Sequence, residues 1–197
     1  MPANDFPGYV RHHEAGHAVV GWVLGERVYA IHLRTLADAR AGRRIIIDRQ
    51  GRQCMHHGLT EMSRRVQPHM ARGMVDSGWK LSRHDLLAEF AVLLAGSYAE
   101  ARQKHTAAVD VMLGGGADDH RQALEVADLL PVERPELIDA GHRMADTFVR
   151  EYWPAIRAVA DLLQGQESTA GDAVHELLDR GAGVRWPMPK GRNYMPD

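Results

Sequence analysis

The chain predicts a predominantly helical α+β fold, with one small β-sheet and a helical bundle toward the C-terminus. Three observations carry that expectation. Segments with apolar residues at helical spacing begin near residue 6, near residue 82 and again beyond residue 119. Between residues 28 and 57 the chain turns β-branched and aromatic in short runs, separated by Gly- and Arg-bearing stretches, as strands joined by turns do. The 197 residues are 45% hydrophobic and 25% charged, the make-up of an ordinary globular chain long enough for one domain with a helical extension.

Taken in order, residues 1–5 read as a frayed end. A helix follows from Phe6 to Leu24, stopped by Gly25 as its C-terminal cap. Val28–Leu33 reads as a strand, residues 36–44 as a polar loop, Arg43–Asp48 as a second strand, and Gln50–Arg52 as a turn into a third strand around Gln53–His57. Glu61 to Gly78 reads as a weak helix broken at Pro68, with methionines filling gaps in the core. Ser82-Arg83-His84-Asp85 has the form of a capping box, and the apolar run behind it to Gln103 predicts a central buried helix. Leu113–Asp119 is a glycine-rich loop leading into a helix from Asp119 to Leu130, ended by Pro131. Residues 132–178 form two or more amphipathic helices, with a turn at Gly165–Gly171 and a short last helix through Val174 to Leu178. The Gly- and Pro-rich remainder is an extended tail. The division is therefore a domain over 1–180 and a tail over 181–197.

Composition narrows the function. A formal net charge of -2 argues against a nucleic acid held by bulk charge. No apolar run approaches bilayer length and no signal peptide is evident, so a cytoplasmic protein without a membrane association is expected. The single cysteine, Cys54, fits a reducing compartment and reads as a strand residue without chemistry. Arg40, Arg43, Arg44, Arg49 and Arg52 read as a solvated hairpin edge. No phosphate-binding loop of the G-x-x-x-x-G-K-[ST] type occurs.

The chemistry concentrates in His13-Glu14-Ala15-Gly16-His17. On a helix, residues i and i+4 lie one turn apart on one face, so His13 and His17 can offer two imidazole nitrogens to one point, with Glu14 on the flank. This H-E-x-x-H pattern is that of zinc peptidases, in which the glutamate is the general base. The competing reading is a pair of buried structural histidines. Val10, His13, His17, Val20 and Leu24 share a stripe; His12 points off it and reads as a surface residue. Glu100, on the buried side of the central helix, needs a partner there and is either an acceptor behind a ligand imidazole, a direct ligand, or half of an internal salt bridge. Asp118 is a natural N-cap and Asp119 lies in the first helical turn, so one of them is free to be an oxygen ligand. Glu61 is a further candidate for that role.

With these segments in view, the chain resembles the zinc-peptidase domain of the FtsH family of ATP-dependent proteases over about residues 8–180. His-Glu-Ala-Gly-His-Ala at 13–18, Leu94-Ala95-Gly96-Ser97-Tyr98-Ala99-Glu100, and Gly116-Ala117-Asp118-Asp119 followed by Ala123 and Ala127 carry the resemblance. So do Trp153-Pro154-Ala155-Ile156 and the closing helices. The resemblance implies Zn²⁺ held by His13, His17 and Asp119, with Glu14 as the base. His120, where the family has an apolar residue, becomes a second candidate beside Glu100 for a role behind the ligands. The family's membrane anchor and ATPase module are absent, and residues 34–57 depart from its strand sequence. The implied function is a zinc-dependent endopeptidase acting on peptides or unfolded proteins without its own ATPase, with the small sheet as the ledge that receives substrate. A homo-oligomer or a separate ATPase is a possible partner. The alternative is a zinc-stabilised binding or regulatory module without proteolysis, docking on such an ATPase.

Overall fold

The computed structural model describes residues 6–43, 45–54, 56–64, 66 and 82–181. The fold is predominantly helical with a small antiparallel β component. Helix α1 (Gly8–Val23) is followed by strand β1 (Val28–Leu33), a short α2 (Leu36–Arg40), and strands β2 (Ile46–Ile47), β3 (Gln53–Cys54) and β4 (Gly58–Met62). Helices α3 (Arg83–Lys104), α4 (Ala108–Met112), α5 (Ala117–Ala127), α6 (Arg134–Glu151) and α7 (Trp153–Leu162) lead to strand β5 (Ser168–Ala170) and helix α8 (Gly171–Gly181).

Helix α3 is the centre, as its apolar sequence demands. Val92, Ala95 and Ala99 face a core shared with α1, β1, α7 and α8. Leu86, Phe90, Ala91, Leu93 and Leu94 face a second core shared with α5 and α6. Each large side chain buried this way contributes about 1.5–3 kcal/mol. Small residues let α1 press against α3: a Cβ on Gly16 would stand 2.6 Å from the Ala95 carbonyl oxygen and 2.8 Å from the Ala99 methyl. Ser82 is the N-cap of α3 by backbone conformation, but its side chain makes no capping hydrogen bond, so only part of the expected capping box forms.

The β structure is richer than the single sheet expected. Strands β4, β1 and β5 form one antiparallel sheet in that order, and β2 and β3 form a separate hairpin. Register is set by alternation, because successive residues of a strand point to opposite faces. Leu33 pairs with Gly58 and Ile31 with Thr60, on the face toward α1; His32 pairs with Leu59 and Ala30 with Glu61, on the outer face. A register shift between Val28 and Ala30 adds a residue and re-aims Tyr29.

Several expectations need correction. The polar stretch after β1 contains α2, because Thr35 caps it by accepting the Asp38 N–H at 3.0 Å. The second and third strands shrink to two residues each. Glu61 belongs to strand β4, not to a helix. The turn at 165–171 holds β5, which closes on β1 through Ala30, Ile31 and His32. Helix α5 starts at Ala117 with Gly116 as its cap, two residues before the expected start. The rest of the weak helix toward Gly78, the frayed end at 1–5 and the tail beyond Gly181 lie outside the described residues. No helix among the described residues is long and apolar enough to cross a membrane.

Candidate metal centre

His13 and His17 project from one face of α1 toward α3 and the first turn of α5. There the two imidazoles meet Asp119, and one donor atom from each of the three lies within 4.8 Å of the others. The Asp119 Oδ2 is 3.1 Å from His13 Nε2 and 3.4 Å from His17 Nε2. Donors sharing a tetrahedral Zn²⁺ at bond lengths of about 2.0–2.1 Å stand roughly 3.3 Å apart, so these two separations suit a shared ion as well as direct hydrogen bonds.

The rear of each imidazole supports that reading. His17 Nδ1 lies 2.8 Å from the Val92 carbonyl oxygen. A carbonyl only accepts, so Nδ1 carries a proton and Nε2 is the ring nitrogen turned toward Asp119. His13 Nδ1 is 3.0 Å from Glu100 Oε2, and Lys104 Nζ is 3.2 Å from the other Glu100 oxygen. Glu100 therefore sits behind the His13 ring rather than among the converging donors. Burial disfavours its ionised form, but the hydrogen bonds and charges of His13 and Lys104 outweigh burial and lower its pKa.

Packed without a cation, two ring nitrogens and a carboxylate oxygen at such distances need a proton. Burial pushes His13 toward neutrality, yet its hydrogen bonds to Asp119 and Glu100 and the charge of Glu14 override burial and raise its pKa to about 10. Asp119 moves the opposite way: burial favours its acid form, and the charge and hydrogen bonds of His17 and His13 overcome that and lower its pKa. A divalent cation satisfies the same three groups by replacing that proton, as metal sites do. The donor set thus fits Zn²⁺.

Two glycines make room for this arrangement. A Cβ on Gly96 would fall 2.3 Å from His17 Nε2 and 2.6 Å from His13 Nε2, so α3 approaches the imidazoles only because residue 96 has no side chain. A Cβ on Gly58 would fall 2.4 Å from Glu14 Oε1. Glu14 is buried and held from β4, whose Thr60 Oγ1 donates to Glu14 Oε2 at 2.7 Å. Thr60, Gly58 and the Val92 carbonyl are not among the residues singled out from sequence, and Gly96 enters there only within the 94–100 segment that carries the family resemblance. Only Gly96 left a signal, an isolated glycine inside an apolar helix that asks for a packing reason.

The remaining candidates fall elsewhere. His120 is half-buried, with its ring 6.3 Å from that of His142 on α6. Asp118 is not the helix cap; it pairs at the surface with His56 at 3.0 Å and with Arg121 at 3.0 Å. Glu61 is not among the three converging residues and lies on the outer face of the sheet, 3.2 Å from His32. His12 is buried, not a surface residue. Its ring stacks on Trp153 at 5.4 Å between centroids and its Nδ1–H donates to the Gly8 carbonyl at 2.7 Å. The expected arginine edge is largely tied down locally, Arg43 to Asp38, Arg52 to Asp48, and Arg49 over the Tyr29 ring at 3.8 Å. Cys54 is a free thiol; burial, the largest influence on it, raises its pKa. In comparisons with known proteins, no family model and no curated protein matches this chain.

Proposed function

We propose that the protein is a zinc-dependent endopeptidase that hydrolyses peptide bonds in peptides or unfolded proteins. The observation that carries the reading is the combination of a three-donor set, His13, His17 and Asp119, with an adjacent glutamate that is not one of the donors. A structural zinc site is usually closed by four protein ligands and needs no base; a catalytic one has three and keeps a position for water. A bound Zn²⁺ supplies Lewis acidity, lowering the pKa of a coordinated water to about 7 and polarising the scissile carbonyl.

The chain's own residues do the rest. Glu14, held by Thr60, accepts the proton of the attacking water and returns it to the leaving amine. Glu100 and the Val92 carbonyl fix the tautomer and orientation of the two imidazoles, the support that ligating histidines ordinarily receive. Among the described residues strand β4 is an edge strand of its sheet and it touches Glu14, so it offers backbone N–H and C=O groups beside the base. An extended peptide adding to that edge lies alongside Glu14, which favours β-strand addition as the binding mode.

The test is cleavage of casein, an unfolded substrate, with zinc, after chelation, and by the Glu14→Gln variant. The expected result is zinc-dependent cleavage, abolished by chelator. Glu14→Gln should retain zinc, measured by metal analysis, and lose at least about a hundredfold in kcat. A variant that cleaves as fast as wild type removes Glu14 from the chemistry, and a zinc-loaded wild type that cuts nothing leaves a zinc-stabilised binding module in its place.

A further inference from the structure

One buried carboxylate stands outside the metal centre with an unmet need. Glu61 is 8% exposed, and its Oε1 is buried without any hydrogen bond. His32 Nε2 makes an ion-pair contact with it at 3.2 Å that does not meet hydrogen-bond geometry. A buried acceptor without a hydrogen bond is costly, and each such group in a folded protein asks for an explanation. Glu61 lines a cavity of about 390 Å³ on the outer face of the sheet, together with Tyr29, Ala30, His32, Asp48 and Arg49. The other acid there is already engaged: Asp48 accepts from the Arg52 side chain at 2.6 Å and from the backbone N–H groups of Gln50 and Arg52 at 2.9 and 2.8 Å.

The position of this cavity follows from strand register. Gly58 and Thr60 of β4 face α1, where they meet Glu14; Leu59 and Glu61 therefore face the opposite side. A peptide strand laid on the β4 edge alternates in the same way, so every second side chain passes over the outer face beside Glu61. We infer that this outer-face cavity is a substrate subsite for a basic side chain, with the Glu61 carboxylate as the group that recognises it. The inference rests on the peptidase reading for its choice of a peptide as ligand. A guanidinium or ammonium group brings several donors to the cavity that Glu61 lines and a charge to match the carboxylate.

The experiment uses binding, so that its outcome does not depend on cleavage. Full-length Glu14→Gln protein, loaded with zinc, is titrated by fluorescence anisotropy with a labelled Ala/Ser/Val peptide panel. A single arginine is moved one position at a time along the panel, and each member is paired with its neutral citrulline counterpart. At one register the arginine peptide should bind about tenfold more tightly than its citrulline twin, the gain expected of a charge-assisted hydrogen bond. That gain should vanish in the isosteric Glu14→Gln/Glu61→Gln protein, whose zinc content and melting temperature serve as folding controls. Equal affinity for arginine and citrulline at every register overturns the inference, as does a preference that survives Glu61→Gln or binding weaker than about 1 mM throughout. The casein assay with wild type separates the two ideas. Cleavage without an arginine preference leaves the peptidase standing and the subsite refuted; an arginine preference that depends on Glu61, without cleavage, does the reverse.

Discussion

Gly96 is the residue of α3 that leaves room for both imidazoles. A methyl group there has nowhere to go but into the space of His17 Nε2 and His13 Nε2, and the backbone of a buried helix cannot retreat from α1 without opening the core. Gly96→Ala should therefore turn both imidazoles and weaken zinc binding about 10- to 100-fold, the range for lost support of metal ligands, while the gain in helix propensity keeps α3 intact. Zinc competition with a chromogenic chelator measures the first and circular dichroism the second; unchanged affinity would mean that the helices can separate without cost. His142 gives a residue-scale prediction away from the centre. Its Nδ1 lies 3.1 Å from Tyr98 Oη, its ring stands edge-on to Phe90 at 5.7 Å, and burial, followed by the nearby His120, holds its pKa below 6.5. The unfolded chain then binds the extra proton first. The contribution of His142 to stability is complete above about pH 6.5 and is lost as pH falls through its folded value. Melting temperature should fall as pH is lowered below about 6.5, and His142→Gln should flatten that slope.

At the scale of elements, strand β4 decides how the proposed base is held. Thr60→Val keeps the shape of the side chain and removes its only donor to Glu14. The expected outcome is a kcat lower by about tenfold or more, the worth of a hydrogen bond to a charged group, with KM and zinc content unchanged and activity rescued by Thr60→Ser. A loss that appears in KM instead would assign Thr60 to substrate binding. This strand also marks where sequence reading stops. The two histidines are four residues apart on one helix, a local relation that periodicity exposes. Gly58–Met62 contains Leu, Glu and Met, all good helix formers, and becomes a strand only because β1 lies alongside to pair with it. Strand β5 is three residues long, too short for any period, and exists for the same non-local reason. His12 was misread through a different limit. The one-stripe picture suits a surface helix, whereas α1 is wedged between α3, α7 and the sheet, with every residue from His12 to Gly21 buried. Fold class and the two histidines were thus within reach of the sequence, Asp119 was reached only through the family resemblance, and the backbone and strand contacts that hold these side chains were not legible.

Over the whole molecule, an ion held by this candidate centre would act as a cross-link. His13 and His17 come from the first helix and Asp119 from the fifth, 106 residues farther along than His13, and α3 lies between the two hydrophobic cores that these helices join. An ion bound only by the folded chain stabilises it by RT ln(1 + [L]/Kd), about 2.7 kcal/mol at a hundredfold excess over Kd. For a chain of this size one kcal/mol moves the melting temperature by about 2–4 °C, so zinc at that excess should raise it by about 5–10 °C. The metal-free protein should nevertheless stay folded, because a protonated His13 between Asp119 and Glu100, with Lys104 on the far side of Glu100, already balances the two carboxylates. The measurement is a pair of thermal melts, zinc-loaded and chelated, for wild type and for Asp119→Ala. Wild type should show the shift and the variant should lose most of it, with far-ultraviolet circular dichroism alike in all samples at room temperature. Identical melts with and without zinc would mean that the three side chains meet only to share a proton, and the centre would then be a structural charge cluster rather than a metal site.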